Sequence, residues 1–162
     1  MLPHDFGEFV MRGDFGAHRL KLSHVHIAVS AAPEGGDKSA AHFQNTVALI
    51  DSGASHCLVS PAFAEIIGAR VVDVGGKYIA AGKTDGKAKE TRIVVAVTGG
   101  SKTIAREFQS GVLPLPSELQ CVLGMDMLCD GVLSFDGFTG WWTWRLQRPN
   151  AWTPASMVAN FG

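Results

Sequence analysis

"VALIDSGASHCLVSPAF", residues 47–63, is the stretch on which the reading of this chain turns. An apolar run from Val47 to Ile50 ends in the carboxylate of Asp51. Three small residues follow, and the chain turns apolar again at Cys57, Leu58 and Val59. A charged carboxylate is costly to bury without a partner, so its place at the end of an apolar strand needs a reason. Gly53 removes the β-carbon that would hold a second backbone away, Ser52 brings a hydroxyl, and Ala54 keeps the wall low. Together they leave the Asp51 oxygens open to water and close to backbone N–H donors. Asp-Ser-Gly is also an ordinary turn sequence in which the aspartate bonds its own backbone, so the tripeptide alone leaves both readings open.

At 162 residues the chain can bury one sizeable core but not two large ones. A net charge of −1 gives no basic surplus for nucleic acid and no charge block for a membrane surface. The 19 glycines favour strands and tight turns over a helical bundle. There is no apolar run of about 18 residues to span a bilayer, and the N-terminus lacks the basic-then-apolar pattern of a secretory signal. Three cysteines, an odd number without metal-site spacing, point to buried thiols and a reducing, cytoplasmic compartment.

Around the Asp51 turn the pattern is that of a mainly β domain with two short helices. "LKLSHVHIAVSA" alternates, with Val25, Ile27 and Val29 on one face and His24 and His26 on the other. "FQNTVALID" and "CLVS" read as strands, and "SPAFAEIIG" as a helix capped by Ser60, opened by Pro61 and stopped at Gly68. "KYIAAGKTDGKAKETRIVVAV" reads as a long hairpin with its tip near Thr84, Asp85 and Gly86, because Asp-Gly supplies the positive φ of tight turns. "KTIAREFQSGVLPL" gives a further strand or two, and "LQCVLGMDMLCDG" a strand running into a short helix. "VLSFDG" and "GWWTWRL" form a closing hairpin. On it Trp142, Trp144 and Leu146 share a face with Trp141 opposite, either as a core strand with one exposed indole or as part of an interface.

Two of these stretches, taken together, resemble the retropepsin-like aspartic proteases, the family of retroviral proteases and their cellular and bacterial relatives. "VALIDSGASHCLVS" is similar to the family's apolar strand, Asp-[Thr/Ser]-Gly-Ala and second apolar strand. "CVLGMDML" is similar to its second hallmark, an apolar strand ending in Leu-Gly before a short helix, and a hairpin stands between the two. The resemblance implies an all-β acid-protease fold over residues 21–147, with 1–20 an N-terminal extension and 148–162 a C-terminal tail. It implies an aspartic endopeptidase with Asp51 catalytic and Ser52, Gly53 and Ala54 in the active-site loop. Leu123, Gly124 and Asp126 become the structural motif behind the loop, Asp126 as a structural rather than a catalytic residue. Ala81, Gly82, Lys83, Thr84, Asp85 and Gly86 become a flap over a polypeptide substrate.

The chemistry needs two carboxylates sharing one proton across a water, and this chain carries one Asp-Ser-Gly. Two copies of Asp51 must then meet across a two-fold axis, so the resemblance implies a homodimer, with no cofactor, metal, nucleic acid or membrane involved. The chain departs from the retroviral pattern at Ser52, where Thr is usual, at His56, where acidic or small polar residues are common, and at Met125, where an Arg stands.

Other signals are weaker. Gly82-Lys83-Thr84 lacks the earlier glycine and following helix of a phosphate loop, since Lys77 stands where that glycine belongs. His24 and His26 have no third metal ligand nearby. Cys121 and Cys129 read as small buried core residues. Two rivals stand beside the enzyme: a peptide-binding or scaffolding module of the same fold that does not cut, and a plain β domain with a fortuitous turn.

Overall fold

The computed structural model describes residues 9–14, 24–36, 41–76, 78–80, 83–85, 88–116 and 118–155. In chain order the strands are β1 (Val10–Asp14), β2 (His24–Ala31), β3 (Gln44–Ile50), β4 (Leu58–Val59), β5 (Val72–Asp73), β6 (Tyr78–Ala80), β7 (Lys83–Asp85), β8 (Lys89–Gly99), β9 (Lys102–Val112), β10 (Cys121–Leu123), β11 (Gly131–Asp136), β12 (Trp141–Leu146) and β13 (Thr153–Pro154). The helices are α1 (Pro61–Ile66) and α2 (Met125–Leu128).

Strands β9, β4, β10, β3, β2 and β8 pair in that order, and β8 pairs back onto β9, so six strands close into a barrel. Closure leaves none of these six without a neighbour on either side. The alternation read in β2 places Ile27 and Val29 in the core and leaves His24 and His26 exposed. Ala48, Ile50, Val59, Ile93, Val95, Val97 and Leu123 fill the barrel from the other strands. α1 forms as its sequence predicts: Ser60 accepts the Phe63 N–H at 3.1 Å, and Pro61 stands in the first turn.

The crossing that matters for the site is at β10. It runs parallel to β3 and antiparallel to β4, with Cys121 opposite both Ala48 and Val59. The chain therefore leaves β3, turns at Asp51, returns as β4, and has a much later strand laid between the two.

The long hairpin lies elsewhere than the sequence reading places it. β8 and β9 pair over their whole lengths, from Glu90 opposite Gly111 to Gly99 opposite Lys102, around a turn in which Gly100 adopts φ +62°. Ile93 to Val97 of β8 are buried on both faces, with Ile93, Val95 and Val97 in the main core and Val94 and Ala96 against Ala105, and Gly100-Ser101 is the turn. Before it comes only a short two-stranded hairpin, β6 with β7, in which Tyr78 faces Asp85 and Ala80 faces Lys83. Thr84 and Asp85 are thus strand residues and not the tip. Ala81, Gly82 and Gly86 lie outside the described residues.

A second sheet, ordered β1–β12–β11, lies against the barrel core. Trp142 and Trp144 are buried and Trp141 is half-exposed, so β12 is a core strand with one indole outside. Trp144 meets Phe9 edge-on at 6.2 Å and Trp152 at 5.8 Å, and Trp152 meets Phe108 at 5.8 Å. Asp130 is buried beside them. It accepts the Trp152 indole N–H at 3.0 Å and pairs with Arg106, whose guanidinium stands 5.2 Å from the Phe108 ring centre. Its backbone oxygen also takes the N–H groups of Gln147 and Arg148. Phe9 and Met11 from the beginning of the described chain and Trp152 from near its end are built into this one core, and β13 pairs with β9 beside it.

Trp152→Ala should cost about 3–5 kcal/mol of unfolding free energy, because it empties an aromatic cluster and takes a donor from a buried carboxylate. Urea unfolding followed by fluorescence measures it, and a loss under about 1 kcal/mol would show that this segment adds little to the core.

Candidate active site

Asp51 leaves β3 with its N–H donating to Leu123 O at 3.1 Å, so the residue is tied to β10 at the moment the strand ends. The Ala54 N–H then closes a turn onto Asp51 O at 3.2 Å. The Gly53 N–H donates to Asp51 Oδ1 at 2.8 Å, which fixes the carboxylate. The side chain is half-buried, Ser52 and Gly53 are exposed, and Ala54 is half-buried. Among the described residues Oδ2 has no hydrogen-bond partner. The result is an oriented carboxylate with one oxygen held and the other available.

The rest of the loop is fastened to α2. The Met125 N–H donates to Ala54 O at 2.8 Å and the Asp126 N–H to Ser55 O at 3.2 Å. The Cys57 N–H donates to both Asp126 oxygens, at 2.9 and 3.0 Å, and the Cys57 thiol to Oδ1 at 3.1 Å. The same oxygen takes the Met127 N–H at 2.9 Å. Asp126 is thus directed at backbone N–H groups of both the loop and its own helix. At Gly124 a β-carbon would lie 2.4 Å from the backbone C and O of His56, so only glycine lets α2 approach this closely.

Asp51, Ser52, Gly53 and Ala54 accordingly form one loop, and Leu123, Gly124 and Asp126 are bonded to it or packed on it. Lys83, Thr84 and Asp85 form β7 of the separate small hairpin. The sequence reading did not foresee that Cys57 and His56 receive the second motif. The signal available was the Gly124 position, which demands a close neighbour.

Burial is the main reason the Cys57 thiol is pushed well above its ordinary value, with the Asp126 charge adding to it. Burial likewise pushes Cys121 up to about 12, again reinforced by Asp126. Both stay neutral thiols rather than nucleophiles. Cys129 corrects the sequence reading: it is exposed, because it lies four positions after Met125 on the outer side of α2, while Met127 and Leu128 take the inner side. Among the described residues no three His, Cys, Asp or Glu side chains converge as a metal site, and no helix is long and apolar enough to cross a membrane.

No family model matches the sequence, and no curated protein matches it. Two solved structures are similar in fold. One is a retropepsin-like aspartic protease from Rickettsia conorii, at 19% identity and a TM-score of 0.43, covering 85% of this chain and 98% of that one. The other is the retroviral protease-like domain of Ddi1 from Leishmania major, at 16% identity and a TM-score of 0.37, covering 72% of this chain and 83% of that one.

Gly124→Ala should destabilise the chain by about 1–3 kcal/mol by forcing α2 off the loop. Hydrogen exchange should quicken at the Gly53 and Cys57 amides, and unchanged exchange there would contradict this packing. A thiol reagent at pH 8 should titrate Cys129 rapidly in the folded protein, and all three cysteines only after unfolding. Because folding favours the neutral form of Cys57 and Cys121, their contribution to stability is complete below the ordinary thiol value of 9.0 and declines as pH rises toward about 12 for Cys121. Thermal unfolding measured across pH 8–11 checks this.

Proposed function

We propose that this chain is a retropepsin-like aspartic endopeptidase that works as a homodimer and hydrolyses peptide bonds with water held between two Asp51 carboxylates. The observation that carries the reading is the Asp51 loop itself. Its carboxylate is oriented by the Gly53 N–H, and its backbone is fastened at Asp51 to the strand, and at Ala54, Ser55 and Cys57 to the helix, of the second motif. A fortuitous turn has no need of that second attachment.

The chemistry follows from like charge. Two carboxylates about 3 Å apart cannot both ionise, so the pair holds one proton. The ionised Asp51 takes a proton from water as the water oxygen bonds to the peptide carbon, and the protonated Asp51 polarises the carbonyl oxygen. The tetrahedral intermediate collapses by breaking the C–N bond, and the departing amine takes a proton from the pair. No metal or cofactor enters. In this reading Ser52 hydroxyls join the two loops across the axis, Gly53 lies along the substrate backbone, and residues 81–86 close over the peptide. The homodimer is supported by the single Asp-Ser-Gly per chain and by exposed apolar side chains on the β11–β12 hairpin: Val132, Phe135, Phe138 and Trp141. The free cysteines suit the cytoplasm.

Asp51→Asn should lower turnover of a mixed peptide library by at least about a thousand-fold while the chain stays folded. The parent activity should follow a bell against pH with an acidic maximum. Below the bell both carboxylates hold protons and no base is left, and above it both are ionised and no acid is left. Activity still rising above pH 8 contradicts the mechanism. Peptide binding without cleavage by parent and variant alike identifies a binding module instead.

A further inference from the structure

We propose that a cavity on the outside of the barrel, where β2 gives way to β5 along β8, is a binding site for short peptides with a free amino and a free carboxyl end. Glu34 takes the ammonium and Arg70 the carboxylate. The cavity shares no lining residue with the Asp51 loop, and the assignment does not depend on the peptidase reading.

The cavity follows from how one edge of β8 is shared. β9 covers the other edge along the whole hairpin, and β2 and β5 lie one after the other along this one. The β2 ladder reaches Ala31 opposite Ile93, and the Ala32 N–H still donates to Arg92 O at 2.9 Å. Pro33 has no N–H to continue the ladder, and the chain turns away through Glu34–Gly36, where Gly35 adopts φ +80°. β5 takes up the edge only at Val72, opposite Glu90. Thr91 and Arg92 are left between the two strands, and a cavity of about 420 Å³ lies there, walled by Pro33–Gly35 on one side and by Arg70 and Val72 on the other. The Thr91 hydroxyl fixes the second wall by donating to Arg70 O at 2.8 Å. A volume of this size falls within the roughly 300–1,000 Å³ of ordinary small-molecule sites.

Charge decides the class of occupant. Among the described residues four charged side chains line the cavity, Glu34, Arg70, Glu90 and Arg92, and their formal charges cancel. A simple anion or cation therefore meets as much repulsion as attraction, whereas a zwitterion finds an opposite charge for each end. Two of the four are engaged along the sheet: Arg92 pairs with Glu107, and the Gln109 amide donates to Glu90.

The other two face each other from the two walls. Arg70 and Glu34 are joined by one contact of 3.5 Å, with side chains 79% and 81% exposed. An exposed pair of this length contributes little to stability, so its ends can part and each meet an opposite charge when a zwitterion enters between them. Pro33 and Val72 add apolar surface beside them for small side chains.

The test is an NMR titration of the isotope-labelled protein with trialanine at about pH 6.5, where both ends of the peptide are charged. Saturable amide shifts should gather at Glu34, Gly35, Arg70, Val72, Thr91 and Arg92, with a millimolar dissociation constant. N-acetyl-trialanine and trialanine amide each lack one charge and should bind about 3- to 10-fold more weakly. Glu34→Gln should lose the discrimination against the acetylated peptide and Arg70→Gln that against the amide, both at exposed positions that leave the fold intact. Equal binding of all three peptides, saturation at the Asp51 loop instead, or no saturable shift by about 50 mM overturns the proposal. Acetate or ammonium alone shifting the same amides as strongly as trialanine identifies a plain ion site and overturns it as well. No turnover is measured, so failure here leaves the peptidase reading intact.

Discussion

The pair of hydrogen bonds from the Cys57 N–H to the Asp126 carboxylate is the contact on which the site depends. It joins residues 69 positions apart in the chain and is charge-assisted, a class worth about 1.5–3 kcal/mol where solvent competes little. It can form only because β10 lies between β3 and β4 and delivers Gly124 and α2 to the open end of the loop. Closing the barrel and completing the loop are therefore one event. If β10 were absent from its slot, the Asp51 N–H would lose Leu123 O and the Cys57 N–H would lose its acceptor together.

This coupling explains why so little of the loop is apolar and yet its shape is defined. Ser52, Gly53, Ser55 and His56 bury little surface, so the hydrophobic effect does not hold them. Directed hydrogen bonds to a rigid neighbour do that work, and the rigidity comes from Leu123, Met127 and Leu128 being sunk in the core on the other side of the same short segment. A site made this way keeps its backbone fixed while leaving its side chains free for solvent and ligand.

What was legible in the sequence was what local chemistry decides. The alternation in β2, the Ser60 cap of α1, the Asp51 turn and the Trp142–Trp144 face all follow from periods and caps within a few residues. The β8–β9 hairpin was missed because two turn signals competed: Asp85-Gly86 is the stronger by turn propensity, but Gly99-Gly100 stands between the two longer strand-forming runs, and pairing along these outweighs the preference of one dipeptide. The Asp130–Arg106–Trp152 cluster was not legible, since nothing near Trp152 in sequence says that a buried acid awaits its indole. Cys129 was misjudged because the short α2 has room for only two inward side chains, and Met127 and Leu128 take both places.

The same division between local and distant contacts bears on how the chemistry is shared out. Among the described residues the hydrogen-bond partner of the Asp51 carboxylate is a backbone N–H, a neutral donor that orients it without neutralising it. In the proposed mechanism the coupling that makes two acids hold one proton needs a second carboxylate at close range, which a second copy of the loop would supply. The loop's geometry is thus set by bonds inside one chain, whereas the proton sharing of the proposed mechanism would depend on association. On the proposed mechanism a single chain presents the oriented carboxylate without the second acid it works with, so that peptide hydrolysis would arise with assembly and not with folding.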